Sequence, residues 1–129
     1  MKQLAKYSDQ AYALLRIMTG LMFSFHGAQK ILGILSEMPS PPVGSQMWIG
    51  GIIELVAGLL VMVGFLTHWA AFLSSGEMAV AYFQFHWKFQ LGAAFFPAIN
   101  KGEMAVLYCF VFLCIACRGG GKWSLDKKS

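Results

Sequence analysis

Four apolar blocks, Ala11–Leu35, Met47–Leu66, Trp69–Trp87 and Ile99–Arg118, occupy most of a 129-residue chain and are separated by short polar or Pro/Gly-containing stretches. At about 1.5 Å of rise per residue each block, as a helix, is about one bilayer thick, so the pattern predicts four membrane spans. Composition agrees: 12% of residues are charged and 57% hydrophobic, about half the charge of a soluble domain. The stretch Ser36 to Ser45 holds three prolines, which remove backbone donors and stop a helix. Gly64 to His68 is short enough only for a tight hairpin. Successive spans must then run antiparallel. The expected architecture is all-α, an integral-membrane four-helix antiparallel bundle forming one domain over residues 1–129.

Lys2 and Lys6 precede the first block as they would in a secretory signal, but Arg16 interrupts the run and no small-x-small cleavage pattern follows. The block reads as an uncleaved span. Lys2 and Lys6 at one terminus and Arg118, Lys122, Lys127 and Lys128 at the other place both termini on the cytoplasmic side. Trp48, Trp69, Trp87 and Trp123 fall at or near span ends, where amphipathic rings prefer the headgroup layer. The net charge of +4 is explained by this topology and by anionic lipid headgroups, so nucleic acid is excluded as a partner. The expected location is the bacterial inner membrane, multi-pass.

The intramembrane ionisable residues carry the functional signal. On a helix Arg16, Phe23, His26, Gly27 and Lys30 fall within about a quarter-turn of one another. Glu54 shares a face with Gly51, Ala57 and Gly58, and Glu77 with Ser74, Ala81, Gln84 and Lys88. A carboxyl group deep in lipid is costly and too short to snorkel, so each acid should face the interior and needs a partner or a proton. Depth along the helices pairs Arg16 with Glu77, and Glu54 with His26 and Lys30. Arg16, His26, Lys30, Glu54, Glu77 and Gln84 are therefore the candidate ligand-binding or proton-relay set. The alternative is that Arg16 and Lys30 snorkel to opposite surfaces while the two acids stay protonated or fix helix register. Small residues (Gly50, Gly51, Ala57 and Gly58 in the second span; Ala70, Ser74 and Ala81 in the third) allow close helix packing in lipid.

No second His or Cys stands beside His26, so no metal site is expected, and His68 and His86 read as interfacial. Cys114 and Cys117 have the C-x-x-C spacing of thiol redox motifs but lie near the cytoplasmic end, where thiols stay reduced. They are a candidate redox pair, with buried packing as the plainer reading; Tyr108 likewise reads mostly as packing. Residues 89–98 are apolar for an aqueous loop and hold three phenylalanines, which fits either an interfacial lid over the bundle mouth or a frayed end of the third span.

Arg16 with His26-Gly27-Ala28-Gln29-Lys30, Gly50-Gly51-Ile52-Ile53-Glu54 followed by Gly58 and Gly64-Phe65-Leu66-Thr67, Glu77, Asn100-Lys101-Gly102-Glu103, and the closing Gly119-Gly120-Gly121-Lys122-Trp123-Ser124-Leu125-Asp126 together resemble the DoxX family of small bacterial inner-membrane proteins. The likeness runs over nearly the whole chain, with Gly120 standing where a proline is expected. It implies a four-helix membrane protein linked to sulfur and thiol oxidation, the quinone pool and membrane complexes that handle oxidative stress. Three readings follow: an accessory subunit, with quinone as cofactor, of a membrane or cytoplasmic oxidoreductase; a small-solute or proton carrier, which four short helices would form as a homo-oligomer; and a non-catalytic assembly scaffold. No haem, flavin or iron–sulfur ligand set is visible.

Overall fold

In the computed structural model, which describes residues 1–127, the described chain is all-helical and contains no strand. A short turn α1 (Lys2–Ala5) leads into α2 (Ser8–Leu32), α3 (Gln46–Val63) and α4 (Thr67–Ala81). The axis of α4 continues as a π-helical stretch, Tyr82–Trp87. A 3₁₀ turn (Ala93–Phe95) and α5 (Pro97–Asn100) then precede α6 (Glu103–Arg118). Lys128, counted above for topology, lies outside the described residues.

The helix limits correct the expected spans in three places, each with a local cause. The first ends at Leu32 rather than Leu35 because Gly33 turns left-handed (φ +67°) and closes the helix onto Gln29. The third is not α-helical to Trp87: it widens into the π turn and stops where Lys88 and Phe89 both take positive φ. The fourth starts at Glu103 rather than Ile99, because the separate turn α5 ends at Lys101 in a left-handed conformation.

Helix α2 packs along α3, and α4 along α6. Glycines bring α2 and α3 to backbone contact: a Cβ on Gly27 would lie 2.3 Å from the Leu55 nitrogen, and one on Gly58 2.5 Å from the Ser24 nitrogen. Gly20 and Gly27, like Gly51 and Gly58, are seven residues apart, so the small positions recur along one seam. Between α4 and α6 the residues Ala70, Ala71, Ser74, Ser75 and Met78 face Ala105, Tyr108, Phe112 and Ile115. Phe23 of α2 closes the core edge-on against Phe112, ring centroids 4.7 Å apart.

The distribution of polarity is inverted relative to a water-soluble bundle. Arg16, Thr19, Ser24, Glu54, Thr67, Ser74 and Ser75 are buried, while Leu14, Met18, Met22, Phe25, Val56, Phe72, Leu107 and Phe110 are exposed. Of the described helices one, Gln46–Val63, with mean hydropathy 1.9, is by itself long and apolar enough to cross a membrane. The seam on α2 carries Asp9, Arg16, His26 and Lys30, and α4 and α6 have 15 and 16 residues.

Candidate functional site

The first helix does not present one cationic stripe to one site; it spreads its basic residues between the two ends of the bundle. Arg16 is fully buried (0% exposed) and uses its whole fork on carbonyl oxygens: Nη1 donates to Val61 and Met62 (both 2.7 Å), Nη2 to Trp123 (2.7 Å) and Lys122 (3.1 Å). The expected Arg16–Glu77 pair is therefore not formed. Arg16 is level with the last turn of α3 and Glu77 with Gly50 near its first, about 17 Å of helix rise apart.

That inner end is a clasp. The last turn of an α-helix leaves carbonyls without intrahelical donors, and in α3 each finds one. Leu60 accepts from Phe65, Val61 from Gly64 and Arg16, Met62 from Arg16, and Val63 from Leu125. The tail gives something back, because Asp126 accepts from the Leu66 and Thr67 amides (2.8 and 2.9 Å) and so caps α4. Burial pushes the Asp126 carboxyl up, but the hydrogen bonds it accepts at the head of α4, with His68 nearby, outweigh that and hold it below the usual carboxylate range. Tyr12 donates to the Gly119 carbonyl, and Arg118 lies over the Tyr12 ring while pairing with Asp9. The tail runs so close to the hairpin that a Cβ on Gly64, which also has φ +72°, would lie 2.3 Å from the Ser124 Cβ. The closing Gly-x-Gly-x-Trp-Ser-Leu-Asp is thus explained as a strap over the α3–α4 hairpin.

The other basic group of α2 reaches an acid. Lys30 Nζ lies 2.7 Å from Glu54 Oε1, as the depth argument expected, and Glu54 is 4% exposed. One turn nearer the start of α3, Gly50 leaves room for Glu77: a Cβ there would lie 2.8 Å from Glu77 Oε1. The second oxygen of each acid, Glu54 Oε2 and Glu77 Oε2, is buried with no hydrogen-bond partner among the described residues. Both acids line a cavity of about 1070 Å³ between α3 and α4, at the upper end of small-ligand sites. Its inner wall includes Phe23, Ile53, Met78 and Tyr108, and its outer wall Ile49, Trp69, Phe72, Leu73, Val80 and Phe85, all six of them exposed. The cavity therefore joins a polar floor to an apolar flank of the bundle.

His26 lines the cavity from an exposed position on α2. Gln84 lies outside the lining and accepts a hydrogen bond from Gln46, which belongs to it. The π turn brings His86 to the cavity, and Lys101 also reaches it. These two, with Gln46, were missed in sequence because an α-helical wheel carries the wrong phase through a π turn. Residues 89–98 fold back as an aromatic cap: Phe89 stacks on Phe83, Phe95 meets Trp87 edge-on, Tyr82 donates to the Phe95 carbonyl, and Asn100 donates to Ala94 and Tyr82.

Cys114 and Cys117 are exposed free thiols, away from the cavity. Buried packing is corrected here: α6 buries Ala105, Tyr108, Phe112 and Ile115, and that three- and four-residue spacing turns positions 114 and 117 outward. Among the described residues no group of three His, Cys, Asp or Glu could hold a metal ion.

The DoxX family profile matches residues 11–87. An uncharacterized protein of Haemophilus influenzae (strain Rd) is 40% identical over 131 residues, covering 99% of this chain and 97% of its own. No solved structure matches. The matched segment contains both cavity acids, Lys30 and the glycine seam; with its long apolar helix, the chain belongs to the DoxX family and is a membrane protein of that type.

Proposed function

We propose that the chain crosses the bacterial inner membrane four times, as α2, α3, α4 with its π turn, and α6, with both termini in the cytoplasm. Within that bundle the groove between α3 and α4 holds the headgroup of a lipid-soluble quinone, and the protein serves as an accessory subunit of a membrane or cytoplasmic oxidoreductase. The inverted polarity supports the four spans, because apolar side chains cover the outside of all four helices while the buried set includes an arginine and a glutamate. The strap joins both ends of the chain at the α3–α4 hairpin end, as an even number of crossings requires. Lys2, Lys6, Lys122 and Lys127 belong to those same end segments.

The observation that carries the ligand reading is the pair of orphaned acid oxygens on the floor of a cavity with an apolar, exposed flank. A ligand that reaches it from the bilayer needs an apolar body and a small polar head, which is the shape of a quinone. Native mass spectrometry of protein extracted with its lipids tests this. Quinone should be retained by the parent and lost from Glu54→Gln and Glu77→Gln; retention of phospholipid alone in all three would refute it. A scaffold role has its own support in Arg16, which acts as a fastener between α2, α3 and the tail.

A further inference from the structure

The floor of the groove is unequal in donors and acceptors. Glu54 Oε2 and Glu77 Oε2 are both buried and neither receives a hydrogen bond, not even from Tyr108, whose ring lines the same cavity. The one ammonium at that depth, Lys30, is already committed to Glu54 Oε1. The remaining donors of the lining, His26, His86 and Lys101, stand on half-buried or exposed positions nearer its rim. A buried acceptor left without a donor costs free energy that a ligand recovers only by donating to it. A head built from carbonyl oxygens would set acceptor against acceptor on this floor. A head carrying hydroxyl groups would satisfy both oxygens.

We propose that the groove discriminates between the two redox forms of its ligand, taking the hydrogen-bond-donating dihydroxyaromatic (quinol) in preference to the dione. The inference rests on the ligand reading above and adds to it a selectivity with named atoms: one hydroxyl of the head donates to Glu54 Oε2 and the other to Glu77 Oε2. Gly50 is part of the device, since its missing side chain is what lets the Glu77 carboxylate stand over α3. No electron transfer is required of the protein itself; it holds one form of the couple.

The test is equilibrium binding of a short-chain benzoquinone and of its chemically reduced quinol, under anaerobic conditions, to full-length protein in detergent. Two hydrogen bonds to carboxylates should favour the quinol by at least about tenfold. Glu77→Gln turns one acceptor into an amide that also donates, and Gly50→Ala places a methyl where the Glu77 oxygen sits. Each should cut the ratio to below about threefold. The Gly50→Ala methyl meets only the flexible end of Glu77, so this variant reports on the site without relying on the charge change. A long-chain primary ammonium should compete with the quinol, and its trimethylated analogue, equal in charge but without donors, should not.

Equal affinity for both forms would overturn the selectivity and leave the ligand reading intact. Binding of neither would overturn both. A tenfold preference that survives Glu77→Gln and Gly50→Ala, or competition by both ammonium compounds, would place the discrimination elsewhere and likewise overturn the proposal.

Discussion

Replacing Arg16 by leucine tests the clasp at its centre. The side chain is fully buried and its four carbonyl contacts are not equivalent once it is removed. Met62 O loses its only donor at the end of α3, whereas Val61 O keeps Gly64. An orphaned buried carbonyl costs about 1–3 kcal/mol, and a lost charge-assisted bond somewhat more than a neutral one. The Lys122 and Trp123 carbonyls sit on an exposed strap and regain water, which returns part of their share. Against these losses stands relief from holding a guanidinium out of water, several kcal/mol in the general case. The balance for Arg16→Leu is a destabilisation of about 4 kcal/mol, in the range reserved for breaking a buried network. Arg16→Lys keeps the charge without the planar fork and should lose about half as much. Equilibrium unfolding in mixed micelles, followed by circular dichroism, gives the first number. Trypsin cleavage after Lys122, whose carbonyl Arg16 holds, gives an independent one and should accelerate in parallel. A leucine variant within about 1 kcal/mol of the parent, or cleavage at an unchanged rate, would refute the argument.

Other consequences are as direct. Gly27→Ala and Gly58→Ala should each cost about 3 kcal/mol in the same assay, since the added methyl meets backbone that cannot step aside; a neutral result would show that α2 and α3 are not in backbone contact. A double-mutant cycle on Lys30→Met and Glu54→Gln should return a coupling of about 1–2 kcal/mol, kept modest because the lysine side chain is 33% exposed, and additive single effects would deny the pair. Asp126 has a lowered carboxyl pKa in the fold. Its contribution is therefore complete above the ordinary carboxylate range and is lost as pH falls through and below it. Asp126→Asn should flatten that acid limb of stability against pH, and a variant with the parent's acid profile would contradict the cap. The exposed Arg118–Asp9 pair should matter little, so Asp9→Asn is expected to stay within about 0.5 kcal/mol.

Much of the fold was legible because it follows from periodic apolar spacing and from chain-stopping residues. The tight hairpin after Gly64 and the inward face of Glu54 are of this kind, and so is the Lys30–Glu54 pair, which needed only helix rise to place. What stayed hidden depended on contacts remote in sequence. Asp126 caps a helix that starts about sixty residues earlier, and nothing in the local sequence before Thr67 announces it. Arg16 was read as a counter-ion because a buried cation is usually paired with an acid. Here helix-end and strap carbonyls meet it instead, a solution available wherever an arginine fork comes level with the last turn of a neighbouring helix. His86 and Lys101 reach the cavity through a π turn and a pair of left-handed residues, neither of which a wheel of 100° per residue can carry. Gly33 was the exception: a glycine at that place signals a helix end by itself, and the expected span ran past it.

The two ends of the bundle therefore divide the sequence signals between them. The closing motif, the residues of the tight hairpin and Arg16 all serve the strap, so the part of the chain that makes the family resemblance most specific reports on how the bundle is fastened. Ligand choice falls to a different set: Lys30, Gly50, Glu54 and Glu77, with His86 and Lys101 above them. Changes in the first set should move stability and leave ligand selectivity alone, and conservative changes in the second should do the reverse. Arg16→Lys and Gly50→Ala are the cleanest pair for asking this, because the first keeps its charge at the strap and the second adds only a methyl beneath Glu77. If Arg16→Lys altered ligand preference as strongly as Gly50→Ala did, the strap and the groove would be one mechanical unit, and the separation drawn from their roughly 17 Å of helix rise would be wrong.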